Sequence, residues 1–134
     1  MLECGLSQKE GECHILVVES SPELRRVMVL LLEDEGHTVV QSATPEEAMA
    51  LLSDSGFDLV ITDTFGRSSQ DALESASGVL EAAAGTPVAL CTGYRFTMDE
   101  VRRAGFSDII RKPFEPEVFL ERVRGLCTAE GAAA

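Results

Sequence analysis

HILVVESSPELRRVMVLLLEDEG, residues 14–36, is the stretch on which the class of fold turns. Residues 14–18 form a short β-branched apolar run of the kind that fills a strand buried on both faces. Ser20, Ser21, Pro22 and Glu23 then supply a capping hydroxyl, a proline suited to the first helical turn and an acid three residues beyond Ser20, so a helix is expected to start with Ser20 as its cap. Leu24, Val27, Met28 and Leu31 recur at the i, i+3, i+4, i+7 spacing of one helical face, and Gly36 supplies a left-handed stop. A buried strand running into an amphipathic helix is the first half of a βαβ unit. These two elements are β1 (residues 14–18) and α1 (residues 22–35).

The same signature recurs along the chain. Residues 37–41 give β2, and Thr44-Pro45-Glu46-Glu47 carries the capping box that opens α2, residues 45–54, ahead of Gly56. Residues 57–62 give β3 with Asp63 at its C-terminal end, and residues 68–84 place Leu73, Ala76, Leu80 and Ala83 at helical spacing in α3, which Gly85 stops. Residues 87–91 give β4, and a capping box at Thr97-Met98-Asp99-Glu100 opens a short α4, residues 98–104, closed by Gly105. Residues 107–111 give β5. After Lys112-Pro113 a last helix, α5, turns Phe119, Val123 and Leu126 inward and ends at residue 127. Alternation of five strands with five helices specifies right-handed crossovers and a doubly wound α/β fold, its parallel sheet covered on both faces. The domain is expected to span residues 13–127, between a flexible leader, residues 1–12, and a disordered tail, residues 128–134.

Composition agrees with one soluble domain: 134 residues, 45% hydrophobic and 25% charged, suffice for a single core. Lys plus Arg number 11 against 23 Asp plus Glu, and the net charge of -12 opposes contact with nucleic-acid phosphates and anionic lipid. The longest apolar run, residues 27–32, is far shorter than the roughly 20 residues that span a bilayer. The first residues also lack the basic start and apolar middle of a signal peptide, so a cytoplasmic address without membrane contact is expected. Beyond Leu126 too little chain remains for a DNA-binding module, which leads to the expectation of a single-domain switch with no output domain.

In a doubly wound sheet the functional crevice lies beyond the C-terminal ends of the strands. The polar residues there are Glu19 and Ser20 after β1, Asp63 after β3, Thr92 after β4 and Lys112 after β5. A carboxylate at a buried strand end, next to a second acid, suits a phosphoryl acceptor or a Mg2+ site, and a lysine and a hydroxyl opposite suit phosphoryl oxygens.

The segments ILVVES-SPELRR, FDLVITD, VALCTGY and IIRKPF resemble the response-regulator receiver domain of two-component signalling, from about Cys13 to Leu126. RKPF is the most specific of them, and the TGY segment is most similar to receivers attached to hybrid histidine kinases. The resemblance implies a flavodoxin-like fold, and a phosphoryl group accepted by Asp63 from a histidine kinase or phosphotransfer protein. It further implies Mg2+ held by Glu19, Asp63 and the backbone carbonyl of Phe65, with Thr92 and Lys112 contacting the phosphoryl group. Downstream protein partners would use the face made by α4, β5 and α5. The activity implied is signalling, not enzymatic turnover.

The chain departs from the family's usual pattern at three places. Ser20 stands where a second acid usually ligates the metal, so its hydroxyl is left a weak or water-mediated role and Mg2+ is expected to bind weakly. Thr64 to Arg67 replaces the usual turn after the acceptor, and Ile109 occupies the aromatic switch position of β5. These departures carry the alternative reading, a pseudo-receiver acting as a phosphorylation-independent interaction module.

Other chemistries find little support. No GxGxxG or GxxxxGK[ST] is present, and Phe65 stands where a haloacid-dehalogenase phosphatase would need its second aspartate. His14 and His37 lie at strand starts, away from the crevice, and are read as structural; no Ser-His-Asp hydrolase is indicated. Cys4, Cys13, Cys91 and Cys127 show neither a CxxC pair nor zinc-finger spacing, so free thiols are expected. Tyr94 and Phe96 form either an aromatic docking patch or part of the core, and Arg102, Arg103 and Arg111 add positive charge near α4 that reads equally as solvated surface or a docking feature.

Overall fold

The computed structural model describes residues 12–133, with side chains described as far as Cys127. Five parallel strands, β1 (His14–Val18), β2 (Thr38–Ser42), β3 (Leu59–Thr62), β4 (Val88–Thr92) and β5 (Asp108–Arg111), form one sheet in the order β2-β1-β3-β4-β5. The helices are α1 (Pro22–Asp34), α2 (Pro45–Asp54), α3 (Ser69–Ala83), α4 (Met98–Arg103) and α5 (Pro116–Ala133). This is the flavodoxin-like arrangement, whose strand order reverses direction at β1 and β3 and so opens the crevice there.

The period-2 geometry of buried strands divides the core into two layers. Leu16, Val18, Val60 and Leu90 pack with Ala48 of α2, Ala72, Ala76 and Val79 of α3, and Val101 of α4. Ile15, Val17, Leu59, Ile61 and Ile110 point the other way and pack with Met28 and Leu32 of α1 and Phe119 and Val123 of α5. The small buried residues of α3, Ala72, Ala76 and Ala83, let the helix pack closely on this face of the sheet. No helix among the described residues is long and apolar enough to cross a membrane.

Four expectations need correction. The cap of α1 is Ser21, whose hydroxyl accepts from the N–H of Leu24 at 3.3 Å; Ser20 is exposed and lies one residue outside it. Pro22 takes the first helical position, which makes its predecessor the cap. β2 and β3 start later than read, at Thr38 and Leu59: Asp58 N–H still donates to His14 O, but the His14 N–H is taken by the Asp58 side chain, Oδ2, in place of a main-chain carbonyl. Backbone helix in α5 continues to Ala133, through most of the stretch expected as a disordered tail. Finally, Cys13 and Cys127 are not free thiols but are joined as a disulfide, with Cα atoms 6.1 Å apart. Of the cysteines, Cys91 is free and buried, and Cys4, like nearly all of the expected leader, lies outside the described residues.

Candidate functional site

Each residue that reaches the crevice is carried there by a main chain still hydrogen-bonded to the next strand. Glu19 N–H donates to Ser42 O at 3.0 Å, Asp63 N–H to Val18 O at 2.8 Å, and Lys112 N–H to Thr92 O at 2.9 Å. Extension of the ladder past the strand ends fixes where these side chains leave the sheet. Arg25 of α1 adds a brace, donating to Glu19 O at 2.7 Å and to Gln41 Oε1 at 3.1 Å.

Glu19, Asp63, Thr92 and Lys112 converge. Glu19 is 1% exposed and Asp63 9%, a depth at which carboxylates require partners. Lys112 provides them: its Nζ lies 2.8 Å from Glu19 Oε1 and 2.9 Å from Asp63 Oδ1. The second oxygen of Glu19 accepts from Ser21 N–H at 3.0 Å, and Asp63 Oδ1 accepts additionally from Thr64 N–H at 2.7 Å. Burial alone would make Lys112 easier to deprotonate, but its hydrogen bonds to Glu19 and Asp63 outweigh that cost and hold the ammonium above the usual lysine range. The Lys112–Pro113 peptide is cis.

Thr92 is fully buried; its hydroxyl accepts from Tyr94 N–H at 3.1 Å and is hydrogen-bonded to the hydroxyl of Thr64 at 2.7 Å. The loop after Asp63 is pinned from α3 by Ser75, whose hydroxyl accepts from Phe65 N–H at 2.9 Å and has Phe65 O and Ala72 O, at 2.9 and 2.8 Å, as acceptors for its one proton. Gly66 follows with φ +114°, where a Cβ would come within 2.6 Å of Asp71 Cβ, so the loop accepts no side chain there. Tyr94 closes over this loop, its hydroxyl donating to Gly66 O at 3.3 Å, while Phe96 is core.

For a Mg2+ ion the site offers two neighbouring carboxylates, Glu19 and Asp63, within the set this cation commonly takes from protein while keeping several waters. The Phe65 carbonyl is engaged by Ser75, and Ser20 stands exposed beside the site. Ile109 is 5% exposed within the α2–α4 layer of the core. Sequence reading missed Thr64, Ser75 and Arg25. Thr64 is adjacent to Asp63 and could have been found from the β3–β4 adjacency; Ser75 and Arg25 lie on helices and carry no signal of their own.

A family model described as the response regulator receiver domain matches residues 15–124. The chain is 32% identical over 120 residues to the uncharacterized transcriptional regulatory protein YkoG of Bacillus subtilis, covering 88% of this chain and 52% of that one. It is 30% identical to a 14.6 kDa protein of Leptolyngbya boryana, covering 91% of this chain and 95% of that protein. It spans about half the length of the transcriptional regulators it matches, YkoG and ResD of Bacillus subtilis. Among solved structures, a CheY-like receiver domain protein of Methanospirillum hungatei superposes with a TM-score of 0.77 at 22% identity, covering 90% of this chain and 98% of that chain. The chemotaxis protein CheY4 of Vibrio cholerae gives 0.72 at 24% identity, covering 86% and 98%. Both likenesses bear on the fold.

Proposed function

The chain belongs to the response-regulator receiver family, and from that premise we propose that Asp63 accepts a phosphoryl group from the phosphohistidine of a histidine kinase or phosphotransfer protein. One observation carries the reading: a single ammonium, Lys112 Nζ, bridges two buried carboxylates at the switch point of the sheet. The hydrogen bonds to Asp63 from Lys112 and from Thr64 N–H fall on Oδ1, which supports Oδ2 as the attacking oxygen in this reading. Attack by Oδ2 on phosphorus forms the O–P bond as the N–P bond of the donor breaks, and the electron pair leaves with the imidazole. In this reading Lys112 and, once turned from Thr64, the Thr92 hydroxyl would donate to the phosphoryl oxygens. Glu19, Asp63 and the Phe65 carbonyl would hold Mg2+, with Ser20 in a weak or water-mediated role. When bound, the ion neutralises charge between the acceptor and the incoming group.

Partner contact is assigned to the α4–β5–α5 face, where Met98, Ile109, Arg111, Phe114, Val118 and Arg122 line an open recess of about 410 Å3. The pseudo-receiver alternative keeps Ser20 and Ile109 on its side, while the Lys112 bridge between Glu19 and Asp63 favours phosphoryl transfer.

The test is incubation with acetyl phosphate and Mg2+, read by intact mass. Gain of one phosphoryl group by the wild type and none by Asp63→Asn supports the proposal. No gain at any Mg2+ concentration, with the fold intact, sinks it.

A further inference from the structure

At the edge of the sheet opposite the carboxylates, three reactive side chains meet that phosphoryl transfer does not use. Cys13 immediately precedes β1, His37 immediately precedes β2, and Cys127 lies on α5; all are buried, and a His37 ring nitrogen and the sulfurs lie within 4.8 Å of one another. Nδ1 of His37 accepts from Cys13 N–H at 3.0 Å. Its lone pair is thereby committed to the main chain, which places the ring proton on Nε2 and leaves no free nitrogen lone pair for a metal. The cluster is therefore suited to thiol chemistry, and Cys13 and Cys127, 114 residues apart in sequence, are joined in it.

We propose that Cys13 and Cys127 are a reversible dithiol–disulfide pair, exchanging with a small-molecule disulfide of the glutathione class, and that its oxidised form fastens α5 to the base of the sheet. A thiolate of the pair attacks one sulfur of the small disulfide and releases one thiol. The second cysteine then attacks the protein sulfur of that mixed disulfide and releases the other. Two electrons and two protons pass from the pair to the small disulfide, which leaves as two thiols.

Both states of the pair are compatible with the fold. The Cα separation of 6.1 Å lies within the range that a disulfide spans without backbone movement. In the reduced state α5 still has Phe119 and Val123 in the core and Arg124 paired with both oxygens of Glu35, at 3.0 and 3.2 Å. Access to the sulfurs requires the C-terminal part of α5, from about Cys127 onward, to lift from the base of the sheet. Cys91 does not compete among the described cysteines: it is fully buried within β4, where burial pushes its thiol up to about 12 and keeps it protonated, whereas Cys13 and Cys127 lie within bonding reach of each other. A cell interior that keeps most thiols reduced reserves such bonds largely for redox sensing or catalysis. None of this depends on Asp63 being a phosphoryl acceptor.

The experiment equilibrates the whole chain in buffers of graded reduced-to-oxidised glutathione ratio, traps free thiols by alkylation, and maps the products by mass spectrometry, with thermal melting in parallel. We expect the Cys13–Cys127 bond to titrate across the series, Cys91 to stay unoxidised, and the oxidised form to melt about 10 °C above the reduced one. Cys127→Ser and Cys13→Ser should each remove the redox dependence of the melt. A bond that persists in excess reduced glutathione overturns the proposal in favour of a fixed staple. So does a pair that never closes in oxidised glutathione, or one Zn2+ bound per reduced chain that blocks closure.

Discussion

Thr64, the residue after Asp63, holds the hydroxyl of Thr92 at 2.7 Å. Thr92 already accepts from Tyr94 N–H, and with Thr92 donating to Thr64 the contact occupies the proton that would otherwise turn to an incoming phosphoryl oxygen. Thr64→Ala should therefore release Thr92. A neutral hydrogen bond is worth about 1 kcal/mol net, so labelling by acetyl phosphate should accelerate by roughly three- to fivefold, with stability falling by about the same energy. An unchanged rate would mean that Thr92 does not have to leave Thr64 to act.

Among the described residues Lys112 is the cation paired with the carboxylates of both Glu19 and Asp63, and its removal strands two buried acids. Lys112→Met should cost about 3 kcal/mol at neutral pH in urea denaturation. The wild type carries a second signature. Because the folded Lys112 pKa is raised, the triad's contribution is fully present below the unfolded lysine value of about 10.4 and is lost as pH rises through the folded value. A Lys112→Met protein should lack that alkaline fall.

The alternation of strands and helices was legible because each helix announces its start with a hydroxyl or a proline and the central strands β1, β3 and β4 are apolar on both faces. The site residues were legible because strand ends are where a parallel sheet places them. The cap of α1 was misplaced by one residue because Ser20 and Ser21 both offer hydroxyls; the capping-box spacing from Ser20 to Glu23 outweighed the rule that proline occupies the first helical position. Cys13 and Cys127 carried no signal, since nothing in a separation of 114 residues says that α5 returns to the start of β1. The Thr64–Thr92 and Phe65–Ser75 bonds likewise depend on which element lies beside which loop.

His37 gives a prediction in acid. Burial lowers its pKa against the upward pull of Glu35 and Glu12, and protonation would put a hydrogen on Nδ1 where Cys13 N–H now donates. For a base with a depressed folded pKa, stability is fully present above the unfolded value of about 6.5 and is lost as pH falls through the folded one. Thermal melts should fall over that window, and His37→Gln should flatten the dependence. A mutant that keeps the wild-type slope would assign the acid loss to other groups.

The metal site is tested at Ser20. Because Ser21 caps α1, Ser20→Asp leaves the cap in place and changes only the charge beside Glu19 and Asp63. A carboxylate about 5 Å from its neighbours, at an effective dielectric of 20 to 80, repels them by roughly 1 to 3 kcal/mol and attracts a divalent cation more strongly. The metal-free variant should therefore melt lower than wild type, and Mg2+ should bind it about tenfold more tightly or better, followed by amide NMR titration. The control is Ser21→Ala, which should cost about 1 kcal/mol through the lost cap without altering the ion's affinity. If Ser20→Asp leaves Mg2+ affinity unchanged, position 20 does not face the ion, and Glu19 and Asp63 alone set its binding.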